Sequence, residues 1–240
     1  MIGLSGMGWK EVDYTDKESV IRHFKRIGMI AECIEIPFIS PAWISGIKDG
    51  VRQNEINIDS VHLPKQFVYE DDSTRNKIAI AARFLASQLD IKKVIVHPFD
   101  CLVRKESIEK VLKSIQLIKT DIMFEATSKA FMDQMDLYGV GKQTGLTIDI
   151  SHYMRIMNEN LSKLSDLRIN HVHLRGYVRS KRYARMNESK DIVQRFLNIL
   201  IEDNYEGNVI LEYPYSSYKD AKDDVDEMKE LLGKENELLF

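Results

Sequence analysis

Short, mostly apolar runs alternate along the chain with longer stretches in which apolar residues recur every three or four positions. The short runs are rich in β-branched residues and too brief for stable helices, so they read as strands. Eight can be placed: Ile2–Ser5, Ile30–Pro37, Ile58–Leu63, Lys93–His97, Asp121–Glu125, Leu146–Ile150, Ile169–Leu174 and Val209–Tyr213. A helical pattern follows each. The first opens near Thr15, with Glu18 three residues on as in a capping box. The others cover Pro41–Gln53, Arg75–Leu89, Ser107–Ile118, Ser128–Leu137, Ser151–Leu164, Glu188–Asp203 and Ser217–Leu232.

Strict strand–helix alternation implies parallel strands joined by right-handed crossovers. Several strands are apolar on both faces, as expected where helices cover one side and a core fills the other. Eight such units in 240 residues predict an α/β protein, a single (β/α)8 TIM barrel over residues 1–240. A doubly wound open sheet is the alternative. The units repeat as structure and not as sequence.

Composition narrows the class. Charged residues make up 30% and hydrophobic residues 44%, which suits a soluble globular chain. A net charge of −3 argues against a strongly basic nucleic-acid footprint. Cys33 and Cys101 form neither a disulfide framework nor a CxxC motif, so a reducing compartment is expected. With no signal-peptide pattern at the N-terminus and no long apolar run, the expectation is a cytoplasmic protein without a membrane partner.

The distribution of acids and histidines carries the chemistry. His62, His97, Glu125, Asp149, His173 and Glu212 each fall at or near the C-terminal end of a predicted strand. In a parallel barrel those ends meet at one mouth, where the active site of this fold lies. Converging carboxylates repel one another, and a bound cation relieves the repulsion. The mixture of carboxylate and imidazole suits zinc, manganese or another first-row ion. Glu35, at the end of the second strand, is a further candidate for lining the mouth. His171, two residues before His173, reads as a packed core histidine.

The segments HLP (62–64), HP (97–98), FEATSK (124–129), TIDISH (147–152), HVHLRG (171–176) and ILEY (210–213) resemble the xylose isomerase-like barrel superfamily. That group contains sugar isomerases and epimerases as well as endonuclease IV. The resemblance implies a metal site of Glu125, Asp149, His173 and Glu212, with Glu125 and Glu212 as the catalytic acid–base pair. It also implies that His62 and His97 could hold a second ion bridged by Glu125, as in the nuclease, so one or two ions are expected. His152 matches a residue that contacts substrate in epimerases and binds a third metal in the nuclease. Arg179 matches a substrate-contacting arginine of certain epimerases.

The chain departs from the nuclease after the seventh strand. Lys181 and Tyr183 stand where an Asp-x-His pair would complete the third metal site. A lysine there cannot ligate a cation. Lys65 and Gln66 likewise replace residues associated with insertion into a duplex. Arg175, Arg179, Lys181, Arg182 and Arg185 instead suggest a clamp for phosphate or carboxylate over the mouth. Three functions follow in order. The first is a metal-dependent isomerase or epimerase of a sugar or sugar phosphate, with Arg179 and Lys181 among the substrate contacts. The second is an endonuclease IV-like phosphodiesterase, with nucleic acid as partner. The third is a non-catalytic metal- or sugar-binding barrel. Homo-oligomerisation is left open by the sequence.

Overall fold

The computed structural model describes residues 1–53, 55–181 and 184–236. Its eight strands form one closed parallel barrel in chain order. They are β1 (Ile2–Ser5), β2 (Cys33–Pro37), β3 (Ile58–His62), β4 (Lys93–Val96), β5 (Asp121–Glu125), β6 (Gly145–Asp149), β7 (His171–Leu174) and β8 (Val209–Leu211). Closure comes from β1 pairing with both β2 and β8. The open-sheet alternative is thereby excluded.

The outer helices are α1 (Lys17–Gly28), α2 (Ile44–Gln53), α3 (Asp72–Leu89), α4 (Lys105–Ile115), α5 (Lys129–Gln134), α6 (Ile150–Ile156), α7 (Lys190–Glu202) and α8 (Tyr218–Asn236). Each packs one apolar stripe on the barrel. In α7 that stripe is Val193, Phe196, Leu197 and Leu200, all buried. In α3 it includes Ala79, Ala82 and Ala86, whose small side chains let the helix lie close to the strands. No helix among the described residues is long and apolar enough to cross a membrane.

Two local expectations are corrected. The cap of α1 is Asp16, which accepts from the backbone N–H groups of Glu18 and Ser19. Thr15 is turned away, its hydroxyl donating to Asp13 at 2.6 Å. A carboxylate at the helix N-terminus also meets the positive end of the helix dipole, which favours aspartate over threonine there. The sixth helix stops at Ile156 instead of running to Leu164. Asn158 and Glu159 adopt left-handed backbone (φ 48° and 66°), which an α-helix cannot accommodate.

Two features fix the ends of the last strands. Asp149 and His173 stand opposite each other in the β6–β7 register, which brings them to one level of the mouth. Gly176 follows β7, where a Cβ would lie 1.9 Å from the carbonyl oxygen of Arg185. Only glycine fits this close approach, and it anchors the returning loop through a bridge to Ala184.

Candidate metal centre

The C-terminal mouth holds a cavity of about 430 Å³, a size suited to a small molecule. His62, His97, Glu125, His152, Arg175 and Glu212 line it, with Phe38 and Tyr213 supplying apolar wall.

Glu125 is the hub. Its Oε2 lies 3.1 Å from His62 Nε2 and 3.4 Å from His97 Nε2, and its Oε1 lies 3.6 Å from His173 Nδ1. Burial alone would raise its pKa, but His97, His173 and His62 outweigh burial and hold it well below the carboxylate range. The His62 ring is oriented by a backbone contact, Nδ1 to the carbonyl of Leu63 at 3.1 Å. A carbonyl only accepts, so Nδ1 carries the proton and Nε2 is directed at Glu125. Burial pushes His97 down to about 3 against the pull of Glu125, with His62 and Lys65 adding to the fall. It is a neutral imidazole near pH 7.

His173 is the second fixed point. Its Nε2 faces Glu35 Oε2 at 3.1 Å, and its Nδ1 faces Glu212 Oε2 at 3.5 Å. Burial opposes its protonation, yet Glu35, Glu125 and Glu212 together raise its pKa well above the usual value. Nδ1 is buried and, among the described residues, has no partner at hydrogen-bond distance. Such an atom, pointed at two carboxylates, is where a cation would be received in exchange for a proton. The ligand atoms of His62, Glu125 and His173 lie within 4.8 Å of one another, as do those of Glu125, Asp149 and His152. The donor set therefore fits a divalent ion.

Asp149 differs from the other expected ligands. Its Oδ1 accepts from Ser151 Oγ at 2.7 Å and from the His152 backbone N–H at 3.0 Å. Its Oδ2 pairs with Arg175 Nη2 at 2.6 Å, and Arg175 Nε also donates to Ser151 Oγ at 2.6 Å. Burial raises Asp149, but Arg175 and His152 bring it below its ordinary value. Glu212 goes the other way: burial and its neighbour Glu125 raise it, despite the opposing effect of His173. One guanidinium thus already offsets part of the negative charge that an ion would neutralise.

Glu35 does not line the mouth. It is fully buried beneath His173, where it accepts from Ser60 Oγ at 2.7 Å and faces His171 Nε2 at 3.2 Å. His171 is a core histidine, and its Nδ1 lies 3.5 Å from Asp59. Asp59 in turn accepts from Asn208 at 2.6 Å and pairs with Lys93 at 3.3 Å. A polar file therefore runs from the mouth down toward the other end of the strands. At the site Glu35 faces His173 Nε2, and a carboxylate behind an imidazole fixes which ring nitrogen is left for an ion.

The basic stretch does not form a clamp over the cavity. Arg179 is 85% exposed and 3.8 Å from Glu159, and it does not line the cavity. Lys181 pairs with Glu188, also away from the lining. Arg185 is tied to Asp220 and Asp224, fastening the loop to α8. Arg182 and Tyr183 lie outside the described residues. Acidic partners engage each of these three cations in turn, while Arg175 alone of the described set reaches the cavity wall. Its position was signalled by strand parity: His171, His173 and Arg175 alternate, so they share a side. Arg155 and Lys65 also line the cavity. Neither had been singled out as a site residue.

Arg175→Gln would leave Asp149 buried without its counter-charge. The metal-free variant is expected to lose about 3 kcal/mol or more, a fall in Tm of roughly 6–12 °C for a domain of this size. Divalent ion should raise Tm further in the variant than in the wild type, because Asp149 is then released to ligate. Thermal melts with and without Mn²⁺ check this; an equal or smaller rise in the variant contradicts it.

No family model matches the sequence, and no curated protein matches it. Solved structures do. A 3-keto-D-glucoside 4-epimerase from E. coli is 16% identical, with 97% of this chain and 98% of that chain covered and a TM-score of 0.70. A D-tagatose 3-epimerase-like protein is 18% identical, with 100% and 99% covered and a TM-score of 0.71. A xylose isomerase-like TIM barrel protein from Mycobacterium smegmatis, solved in complex with magnesium, is 12% identical, with 90% and 89% covered and a TM-score of 0.69. At these identities the likeness establishes the fold alone: this chain is a (β/α)8 barrel, as those proteins are.

Proposed function

We propose that this chain is a divalent-metal-dependent isomerase or epimerase of a sugar or sugar phosphate. The observation that carries the reading is the convergence of Glu125, His173 and Glu212 on one cavity, with the bare Nδ1 of His173 facing both carboxylates. Two structural neighbours, a 3-keto-D-glucoside 4-epimerase and a D-tagatose 3-epimerase-like protein, support the reaction class. The magnesium in a third supports an ion at the mouth.

Glu125, His173 and Glu212 would hold the ion, with Asp149 joining where Arg175 yields its Oδ2. A bound ion would supply Lewis-acid polarisation of adjacent substrate oxygens, which lowers the cost of charge developing on them. Glu125 and Glu212 act as an acid–base pair, one removing a proton from the carbon beside the carbonyl and the other returning one. His62, His97 and His152 orient hydroxyl groups. Phe38 and Tyr213 exclude water from the reacting carbon.

The endonuclease IV-like reading keeps one specific support, the approach of both His62 and His97 to Glu125. Two observations favour the isomerase: Lys181 is paired with Glu188, and Arg175 brings a fixed positive charge beside Asp149. Metal-loaded protein is expected to interconvert at least one member of a panel of ketoses and ketose phosphates, followed by NMR, and to leave an abasic-site oligonucleotide intact. Cleavage of the oligonucleotide, abolished in Glu125→Gln, would reverse the order of the two readings.

A further inference from the structure

The charges around the mouth point to one feature of the ligand. Lys65, Arg155 and Arg175 line the cavity, as do Glu125 and Glu212. Asp149 stands just behind Arg175. With His173 deprotonated to receive an ion, and with Glu35 beneath it counted, three cations stand against four carboxylates. A divalent ion in the centre then leaves about one positive charge in a concave, partly desolvated space, where charge is weakly screened. The protein as a whole is negative, at −3, so this excess is local.

Lys65 is the cation placed to use it. It follows Pro64 on a tight turn, Lys65–Tyr69, which is closed by Phe67 N–H donating to the Pro64 carbonyl at 2.9 Å. Phe67 and Val68 are buried, so the turn is anchored and presents Lys65 from a rigid base. Among the described residues Lys65 makes no ion pair, whereas Lys93 and Lys181 both do. It lies on the β3 side of the mouth. Arg155 and Arg175 follow β6 and β7, across the barrel, and Arg175 is taken up by Asp149 and Ser151.

We infer that the cavity takes a polyol substrate bearing a terminal oxyanion, a phosphate ester or a carboxylate, and that Lys65 receives it. This rests on the metal-dependent reading above and narrows its substrate class. An ammonium on a short rigid turn suits such a group as a point charge. A neutral ketose would leave Lys65 and the excess charge unanswered.

The test uses the full chain loaded with Mn²⁺, with the ion's stoichiometry and affinity measured first by calorimetry. A ketose, its terminal phosphate ester and the corresponding sugar acid are then titrated separately into wild type, Lys65→Gln, Lys65→Arg and the remote control Lys105→Gln. Wild type should bind the phosphate ester or the acid at least tenfold more tightly than the neutral ketose, and whichever is tighter identifies the oxyanion. Lys65→Gln should lose that preference while keeping its affinity for Mn²⁺. Lys65→Arg should restore most of it, and Lys105→Gln should behave as wild type. Equal binding of all three ligands by wild type, or a preference unchanged in Lys65→Gln, overturns the inference. Failure of Mn²⁺ to bind at all would instead sink the metal-dependent reading on which it stands.

Discussion

Glu125→Gln is expected to weaken metal binding by at least roughly a hundredfold and to lower turnover on the order of a thousandfold. The substitution keeps volume and removes one charge. Among the described residues, Glu125 is the one carboxylate that faces His62, His97 and His173 together. Without it, the His173 Nδ1 keeps Glu212 alone as an anionic neighbour at the mouth. Calorimetric titration of Mn²⁺ reads the first effect and the sugar assay the second. Near wild-type affinity in the variant would show that the ion, if bound, lies elsewhere.

Glu35→Gln should damage the same centre from below. Glu35 does not line the cavity, yet it faces the Nε2 atoms of both His171 and His173. A glutamine offers one acceptor and turns an N–H₂ group toward donors. Metal affinity should fall roughly 10- to 100-fold, the usual cost of losing a carboxylate behind a ligating histidine. The metal-free protein should also lose about 3–5 kcal/mol, because a buried charge pair is broken from one side.

The pH dependence of that loss has a definite sign. Although burial opposes it, His173 and His171 hold Glu35 well below the carboxylate range. Its contribution is therefore present above the ordinary glutamate pKa of about 4.3 and lost as pH falls toward the lowered value. His173 is raised well above the usual value. Its contribution is present below about 6.5 and lost as pH rises through the raised value. The difference between wild type and Glu35→Gln should thus be largest between about pH 5 and 6. Urea denaturation of the metal-free proteins at acid, intermediate and alkaline pH measures it. A difference that does not change with pH would remove Glu35 from its role as counter-charge to His173.

Glu35 also marks the boundary of what the sequence reveals. The barrel was legible because hydrophobic period alone separates strands from helices, and strand ends can be counted. His62, His97, Glu125, His152 and Glu212 were legible as a group for the same reason, and all line one cavity. The level of a side chain within the barrel was not legible. Glu125 ends its strand, but Glu35 lies mid-strand, since β2 runs on to Pro37, and the irregularity in register between Ile34 and Glu35 places it opposite Ser60 and beneath His173. Its partners His171 and His173 lie 136 and 138 positions away, a distance no local pattern encodes.

Charge pairing was equally hidden. Arg179, Lys181 and Arg185 read as one basic cluster, while their partners Glu159, Glu188, Asp220 and Asp224 come from other parts of the chain. The Asp16 cap is a smaller instance. Asp16 and Thr15 are neighbours with similar capping chemistry, and the direction of the preceding turn decides between them. Strand parity, by contrast, could have placed Arg175 in the cavity beforehand.

The central claim is an ion at the barrel mouth. Anomalous diffraction at the manganese edge, from crystals grown with Mn²⁺, tests it most directly. A peak is expected in the cavity between Glu125, His173 Nδ1 and Glu212. A cavity without a peak, in crystals where Mn²⁺ is seen elsewhere, would contradict it.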